Sequence, residues 1–234
     1  MNDRHVLLTG GSGGLGIAVT RALLARGAHL TLTVRDDVHA QRLTAFLDDL
    51  DDEARARVRT APADLADEAS VRGVIDAMPR VDCLIHLVGG FTMGPLDETS
   101  LEALREQIDL NLVTTFLVCK HALRRMKERG HGRIVTVGSR AAVEPGAQLS
   151  AYAATKAGVL ALTRVIADET RDTDITANAV LPSIIDTAAN RKAMGESQAE
   201  RWVTPESLAE VILFLASEAA RDVRGALLPV YGKV

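Results

Sequence analysis

The sequence predicts an α/β fold, a doubly wound parallel sheet of about seven strands with helices on both faces. Three observations predict it. Short β-rich apolar runs alternate with longer stretches of helical periodicity along the whole chain. Most of the runs are nearly continuous rather than alternating polar and apolar, the pattern of strands covered on both faces. The first run leads directly into a glycine-rich turn that opens a helical segment.

The elements follow in order. His5–Thr9 reads as the first strand and Leu15–Arg26 as the first helix. His29–Val34 is the second strand and His39–Asp49 its helix; Val58–Ala61 is the third strand, followed by the helical stretch Glu68–Met78. The fourth strand, Val81–Val88, precedes one long helical stretch, Leu101–Arg129. Gly132–Val137 and Ile175–Leu181 flank the helix Ala151–Arg171, and Pro205–Ser217 leads to a last strand at Ala226–Tyr231. Each crossover between parallel strands is expected to be right-handed. Pro182–Thr204 has mixed signals and reads as a short substrate loop (182–204) carrying a short helix. No linker, repeat or low-complexity segment interrupts the chain, so residues 1–234 are expected to form a single domain.

Composition narrows the function. Of 234 residues 47% are hydrophobic and 25% charged, and the net charge of -4 argues against general affinity for nucleic acid or anionic membranes. Arg124, Arg125, Lys127 and Arg129 read as a solvated helix end. The two cysteines, Cys83 and Cys119, have no ligand or redox spacing, and Cys83 reads as a small core residue. A reducing, cytoplasmic location is expected. There is no signal-peptide pattern, and no apolar run approaches the roughly 20 residues that span a bilayer. The six histidines are scattered, so no metal site is expected.

The turn Thr9-Gly10-Gly11-Ser12-Gly13-Gly14-Leu15-Gly16 sits where a dinucleotide pyrophosphate would bind. Its glycines let backbone N–H groups come close, and the helix N-terminus adds positive partial charge. A Rossmann-type sheet follows from this context. After the second strand come Arg35 and Asp36. An arginine there pairs with the 2′-phosphate of NADP, and an acid bonds the ribose of NAD. Arg35 comes first, so NADP(H) is favoured and NAD(H) stays open. Asp64 and Leu65, after the third strand, are positioned for the adenine edge.

Tyr152 and Lys156 are four apart on a helical pattern and share one face. A nearby ammonium stabilises a phenolate and lowers its pKa from about 10, which suits proton exchange with an alkoxide. Ser139 follows the fifth strand, at the sheet edge where ligands bind in open α/β folds. Its hydroxyl is able to hold a substrate oxygen beside the phenol.

With these elements in hand, the chain resembles the short-chain dehydrogenase/reductase family over essentially its whole length. The matching residues are Thr9-Gly10-x-x-x-Gly14-x-Gly16, Asp64, Asn111, Ser139, Tyr152-x-x-x-Lys156 and the segment Pro182 to Thr187. The resemblance implies NAD(P)-dependent hydride transfer to or from a small carbonyl or alcohol substrate. It makes Tyr152 the acid/base, Lys156 the ribose ligand that tunes it, and Ser139 the group that orients the carbonyl. Asn111 would hold a water linking Lys156 to solvent. Gly89, Pro182, Ile184 and Thr187 would touch the cofactor. It also implies a homodimer or homotetramer built through the 101–129 and 151–171 helices.

The chain departs from the family pattern at three places. His86-Leu87-Val88-Gly89 replaces an Asn-Asn-Ala-Gly motif, Ser183 stands where glycine is usual, and the 182–204 loop is short. His86 has two readings: a core side chain satisfied by one backbone bond, or a titrating group near the site. The short loop and Trp202-x-x-Pro205 are similar to the quinoid dihydropteridine reductase branch, whereas Ser139 is not kept there. Reduction of a flat heterocycle is therefore an alternative, as are a cofactor-binding sensor or scaffold without turnover and an isomerase or dehydratase. Expected pocket residues are Phe91, Met93, Arg140, Ala141, Ile184, Met194 and Trp202, which give an apolar site with one cation that is equally able to face solvent. The last residues, Val230 to Val234, would lie near that pocket or another subunit.

Overall fold

A computed structural model describes all 234 residues, Met1–Val234. Seven strands form one parallel sheet: β1 (His5–Thr9), β2 (His29–Val34), β3 (Val58–Pro62), β4 (Cys83–His86), β5 (His131–Val137), β6 (Asp174–Pro182) and β7 (Leu227–Val230). They lie in the order β3-β2-β1-β4-β5-β6-β7. The order reverses between β1 and β4, and a crevice opens there beyond the carboxyl ends of the strands.

Both faces of the sheet are covered, as continuous apolar strands require. Along β1, Val6 and Leu8 enter one buried cluster and Leu7 the other. The first cluster packs the sheet against α1 (Gly14–Leu24), α2 (Asp37–Asp48) and α9 (Pro205–Leu215). The second packs it against α4 (Glu68–Asp76), α6 (Thr114–Arg129) and α7 (Ser150–Glu169). Cys83 is buried in the first cluster and Cys119 in the second, and burial pushes each thiol up to about 12, so neither is a ready nucleophile. No helix is long and apolar enough to cross a membrane.

Most element ends shift from the sequence reading by one or two residues, and three differences are larger. The single long helix divides into α5 (Leu101–Gln107), a π-helical turn (Ile108–Val113) and α6. Thr114 and Thr115 donate their hydroxyls to the carbonyls of Leu110 and Asn111 at 2.7 and 2.6 Å, which satisfies acceptors in the wider turn. A short helix, α3 (Asp52–Ala56), stands before β3, capped by the Asp51 side chain on Ala54 N at 2.7 Å. β4 is shorter than its apolar run. The short helix expected within 182–204 is α8 (Ala188–Met194), capped by Thr187.

The basic cluster is only partly a solvated end. Arg124 pairs with Asp76, and Arg125 donates to the carbonyls of Ile75 and Met78 at 3.1 and 3.2 Å, binding α6 to the last turn of α4. Trp202, expected in the pocket, is instead buried in the core. Its main chain meets Gly232, where a Cβ would come within 3.2 Å of the Trp202 carbonyl carbon.

Candidate active site

The glycine turn is shaped by close approach. Gly10 takes φ 75°, and a Cβ on Gly16 would fall 2.1 Å from the Gly10 carbonyl oxygen. α1 therefore starts hard against the turn. Its N-cap, Gly13, offers no side-chain acceptor, and the first turn has no acidic residue. The orphan N–H groups stay available, and the positive helix end fits a pyrophosphate. Thr187 leans onto this turn: a Cβ on Gly14 would lie 2.9 Å from its methyl carbon. The 182–204 segment is thereby brought against the glycine turn.

Two residues expected at the cofactor face inward instead. Thr9 is fully buried; its hydroxyl meets His86 Nδ1 at 2.8 Å and its carbonyl accepts from Leu87 N at 3.2 Å. It supports the turn from beneath. The Leu15 side chain joins the core, so only its main chain faces the turn.

A cleft of about 610 Å³ runs from the turn across the sheet edge, a size suited to a cofactor. Gly10, Ser12 and Gly13 line its middle, and Asp64 and Leu65 line it after β3. Gly89 and Leu110 line the β4 side. Arg35 lines the end beyond β2, together with His39 and Arg42. The sequence reading missed these last two. They are three apart on α2, a spacing that puts both on one helix face above Arg35. Asp36 is committed to capping α2: its carboxylate accepts from His39 N at 3.0 Å, His39 Nδ1 at 2.6 Å and Arg35 Nε at 3.1 Å. These donors, the His39 ring first, hold its pKa far below the usual carboxylate range.

His86 is a core side chain, with a different partner from the single backbone bond expected. Thr9 and Thr114 flank it through their hydroxyls, at 2.8 and 3.4 Å. Thr114 already donates to Leu110, so it accepts from Nε2–H and Nδ1 accepts from Thr9. Burial, and then the charge of Lys156, push His86 down to about 3, so the ring is neutral.

Ser139, Tyr152, Lys156 and Asn111 converge at the ends of β4 and β5. Ser139 follows β5, is buried, and accepts from Ala141 N at 3.2 Å in a 3-10 turn. Tyr152 lies in the first turn of α7 with the edge of Phe91 against it, centroids 5.0 Å apart at 71°. Burial raises the Tyr152 pKa, and the Ser139 hydroxyl beside it works in the opposite direction. Lys156, one turn along, is buried and donates to Val137 O at 2.9 Å; desolvation lowers it to about 8. Asn111 occupies the π turn. Its Oδ1 accepts from Gly90 N at 2.9 Å, and its amide donates to Gly90 O, Gln107 Oε1 and Thr155 Oγ1 at 3.1, 3.0 and 3.3 Å. Gly89 fits between: a Cβ there would be 2.8 Å from Asn111 Oδ1 and 2.9 Å from Lys156 Nζ.

The outer rim is mixed. Phe91, Met93 and Met194 are exposed apolar side chains. The Arg140 cation is turned to the chain's end: Nε pairs with Glu144 at 2.7 Å, Nη1 donates to Val234 O at 3.0 Å, and the guanidinium lies over Tyr231 at 5.0 Å. Ser183 donates to Tyr231 O at 2.7 Å, which ties the same tail to the end of β6.

A parallel sheet with a glycine-turned crevice at its reversal point defines a dinucleotide-binding α/β protein. The short chain dehydrogenase family model matches residues 4–198, and the chain belongs to that family. It is 31% identical to D-threitol dehydrogenase of Mycolicibacterium smegmatis, over 99% of this chain and 93% of that protein. It is 36% identical to cis-4-hydroxycyclohexanecarboxylate dehydrogenase of Sinomonas cyclohexanicum, over 98% and 96%. Among solved structures, ElxO with NADP bound superposes with a TM-score of 0.90 at 26% identity, covering 98% of each chain. The chain is an NAD(P)-dependent oxidoreductase.

Proposed function

We propose that this chain is an NADP(H)-preferring carbonyl reductase or alcohol dehydrogenase in which Tyr152 is the acid/base. The carrying observation is that Ser139 sits beside Tyr152 one helical turn from Lys156, which with Asn111 brackets Gly89. When bound, the nicotinamide supplies or accepts the hydride. Ser139 holds the substrate oxygen, and Tyr152 gives its phenolic proton to the developing alkoxide or takes one from an alcohol. Lys156 positions the cofactor ribose and stabilises the phenolate, and Asn111 keeps the π turn against Gly90 behind it. Arg35 and Arg42 meet the 2′-phosphate, while Asp36 is engaged in capping α2. The similar ElxO structure, which holds NADP, supports that preference. Ser12, Gly13, Gly14 and Gly16 receive the pyrophosphate, Asp64, Leu65 and Gly89 flank the cofactor, and Thr187 closes over the glycine turn; the family resemblance adds Pro182 and Ile184 beside it.

Exposed Phe116 on α6 and Val165 on α7 support a homodimer or homotetramer through these helices, which light scattering measures directly. The catalytic reading is tested with Tyr152→Phe against ketones, quinones and dihydropterins, followed by NADPH absorbance. Cofactor binding is retained and turnover falls at least about a hundredfold. Near-normal turnover in the variant removes Tyr152 from the role.

A further inference from the structure

We propose that His86 is a positioning residue for the reaction, locking from beneath the π turn that presents Asn111 to Gly90 beside Lys156. The inference rests on the catalytic reading above. His86-Leu87-Val88-Gly89 is where this chain leaves the family motif, and the reaction gives the imidazole no task of its own. The ring is 2% exposed, and Leu87, Val88 and Thr114 line the cleft in its place, so it meets neither substrate nor cofactor. It meets two threonines instead. Thr9 is its register partner on β1, with the hydroxyl 2.8 Å from Nδ1. Thr114 opens α6 directly after the π turn Ile108–Val113, with its hydroxyl 3.4 Å from Nε2.

A π turn takes carbonyls out of regular α-helical pairing. Thr114 and Thr115 satisfy two of them, donating to Leu110 O and Asn111 O at 2.7 and 2.6 Å. A hydroxyl has one proton, and once Thr114 gives it to Leu110 only acceptor capacity is left. Nε2–H of His86 fills that capacity and has no other acceptor in the structure. A buried N–H left unpaired costs more than a made bond gains, so ring and threonine hold each other. The Thr114 proton thereby stays aimed into the π turn. From the opposite side Asn111 accepts from Gly90 N at 2.9 Å and donates to Gly90 O and Thr155 at 3.1 and 3.3 Å. The end of β4 and the loop after it, His86 to Gly90, thus grip the turn at two points. Gly89, between them, is the residue packed against Lys156 Nζ. Without the His86 end the turn is free to relax toward α-helical pairing, which carries Asn111 off Gly90 and leaves Lys156 unrestrained beside Gly89.

Three variants separate the bonds. A glutamine amide carries its nitrogen where an imidazole carries Nε2, and an asparagine amide where it carries Nδ1. His86→Asn therefore loses Thr114, His86→Gln keeps it, and Thr114→Val removes the other end of the bond. The first readout is amide exchange in the cofactor-free chain. The Gly90 N–H, held by Asn111, exchanges at least about tenfold faster in His86→Asn and in Thr114→Val, with the amides of β6 unchanged. The second is turnover of the ketone, quinone or dihydropterin that the intact chain reduces fastest. In both variants kcat falls about tenfold while KM for NADPH stays within about twofold, and the double variant is no worse than the worse single. His86→Gln recovers both readouts to within about threefold. If His86→Asn does not fold, Thr114→Val carries the same two measurements. Unchanged Gly90 exchange, an intact kcat, or losses that multiply in the double variant overturn the role of His86. Near-normal turnover in Tyr152→Phe defeats the catalytic reading instead, and the exchange rates still decide whether His86 holds the turn.

Discussion

Lys156 and Gly89 touch so closely that a single added methyl on the glycine would come within 2.9 Å of the ammonium nitrogen. The same methyl would press on Asn111 Oδ1 at 2.8 Å. Lys156 has little room to retreat, because it is buried and its Nζ is bonded to Val137 O. Gly89→Ala is thus expected to displace the ammonium and the π turn together. Misplacement on the order of 1 Å can cost about a hundredfold in rate. We expect kcat to fall by about ten- to a hundredfold, with circular dichroism unchanged. A variant with normal kcat would mean that this contact is mere packing.

Ser139 bears on the proton affinity of Tyr152. Burial raises the phenol, and the serine hydroxyl is the group that lowers it. With Tyr152 as the proposed base, alcohol oxidation needs the phenolate, and its rate is expected to rise with pH as the phenol deprotonates. Ser139→Ala removes the lowering bond, and the rising limb of kcat/KM for oxidation moves to higher pH. Ketone reduction at neutral pH loses about tenfold or more from poorer orientation. A lower plateau with an unmoved limb assigns Ser139 to orientation alone.

His86 makes the fold sensitive to acid. Its folded pKa is about 3, against an ordinary value of 6.5, because burial opposes the imidazolium. The unfolded chain therefore binds a proton below pH 6.5 that the folded chain refuses until near pH 3. Stability from this group is complete above 6.5 and falls below it, by up to about 1.4 kcal/mol per pH unit. Urea melts at pH 7 and about pH 5 separate this from the other titrating groups. The intact chain is expected to lose about 2 kcal/mol more than His86→Gln between the two. Equal losses would show that the ring accepts its proton while folded.

The sheet, the glycine turn and the Tyr152–Lys156 pair are all legible in the sequence, because each depends on local spacing or on runs of one residue type. Strands such as His5–Thr9 and His29–Val34 keep their boundaries. The π turn does not show, since 101–129 has one helical pattern; only the side-chain bonds of Asn111 to Gly90 and of Thr114 and Thr115 to carbonyls reveal it. His86 and Thr9 are register neighbours on β4 and β1, 77 positions apart, a pairing that requires the sheet. Arg42 and His39 join Arg35 only because α2 folds back over the end of β2. For Arg140 the sequence leaves a pocket position and a solvent-facing one open, and its actual partners, Glu144 and the chain's last residues, depend on where β7 ends.

The opposite edge of the sheet carries a second charged cluster, whose removal should affect stability and spare the chemistry. Arg133 at the start of β5 is 1% exposed. It donates to the Asp174 carbonyl and carboxylate at 2.7 and 2.8 Å and to Glu218 at 3.0 Å. Arg4 bonds Glu218 at 2.5 Å and His131 Nε2 at 2.6 Å, which leaves Nδ1–H of His131 to donate to Asp174 at 2.8 Å. The ligand atoms of His131, Asp174 and Glu218 lie within 4.8 Å of one another, close enough for a metal, yet the two guanidinium groups already take these acceptors. Arg133→Met keeps the apolar stem and leaves Asp174 and Glu218 without their shared buried cation. We expect a loss of about 2–4 kcal/mol. Glu218→Gln, on a side chain 55% exposed, should cost less than about 1 kcal/mol. Turnover per folded molecule stays unchanged in both, and a chelator leaves the melting temperature where it was. A chelator-sensitive melt, or a lower kcat in Arg133→Met at full folding, would show that this edge binds a metal or is coupled to the cleft.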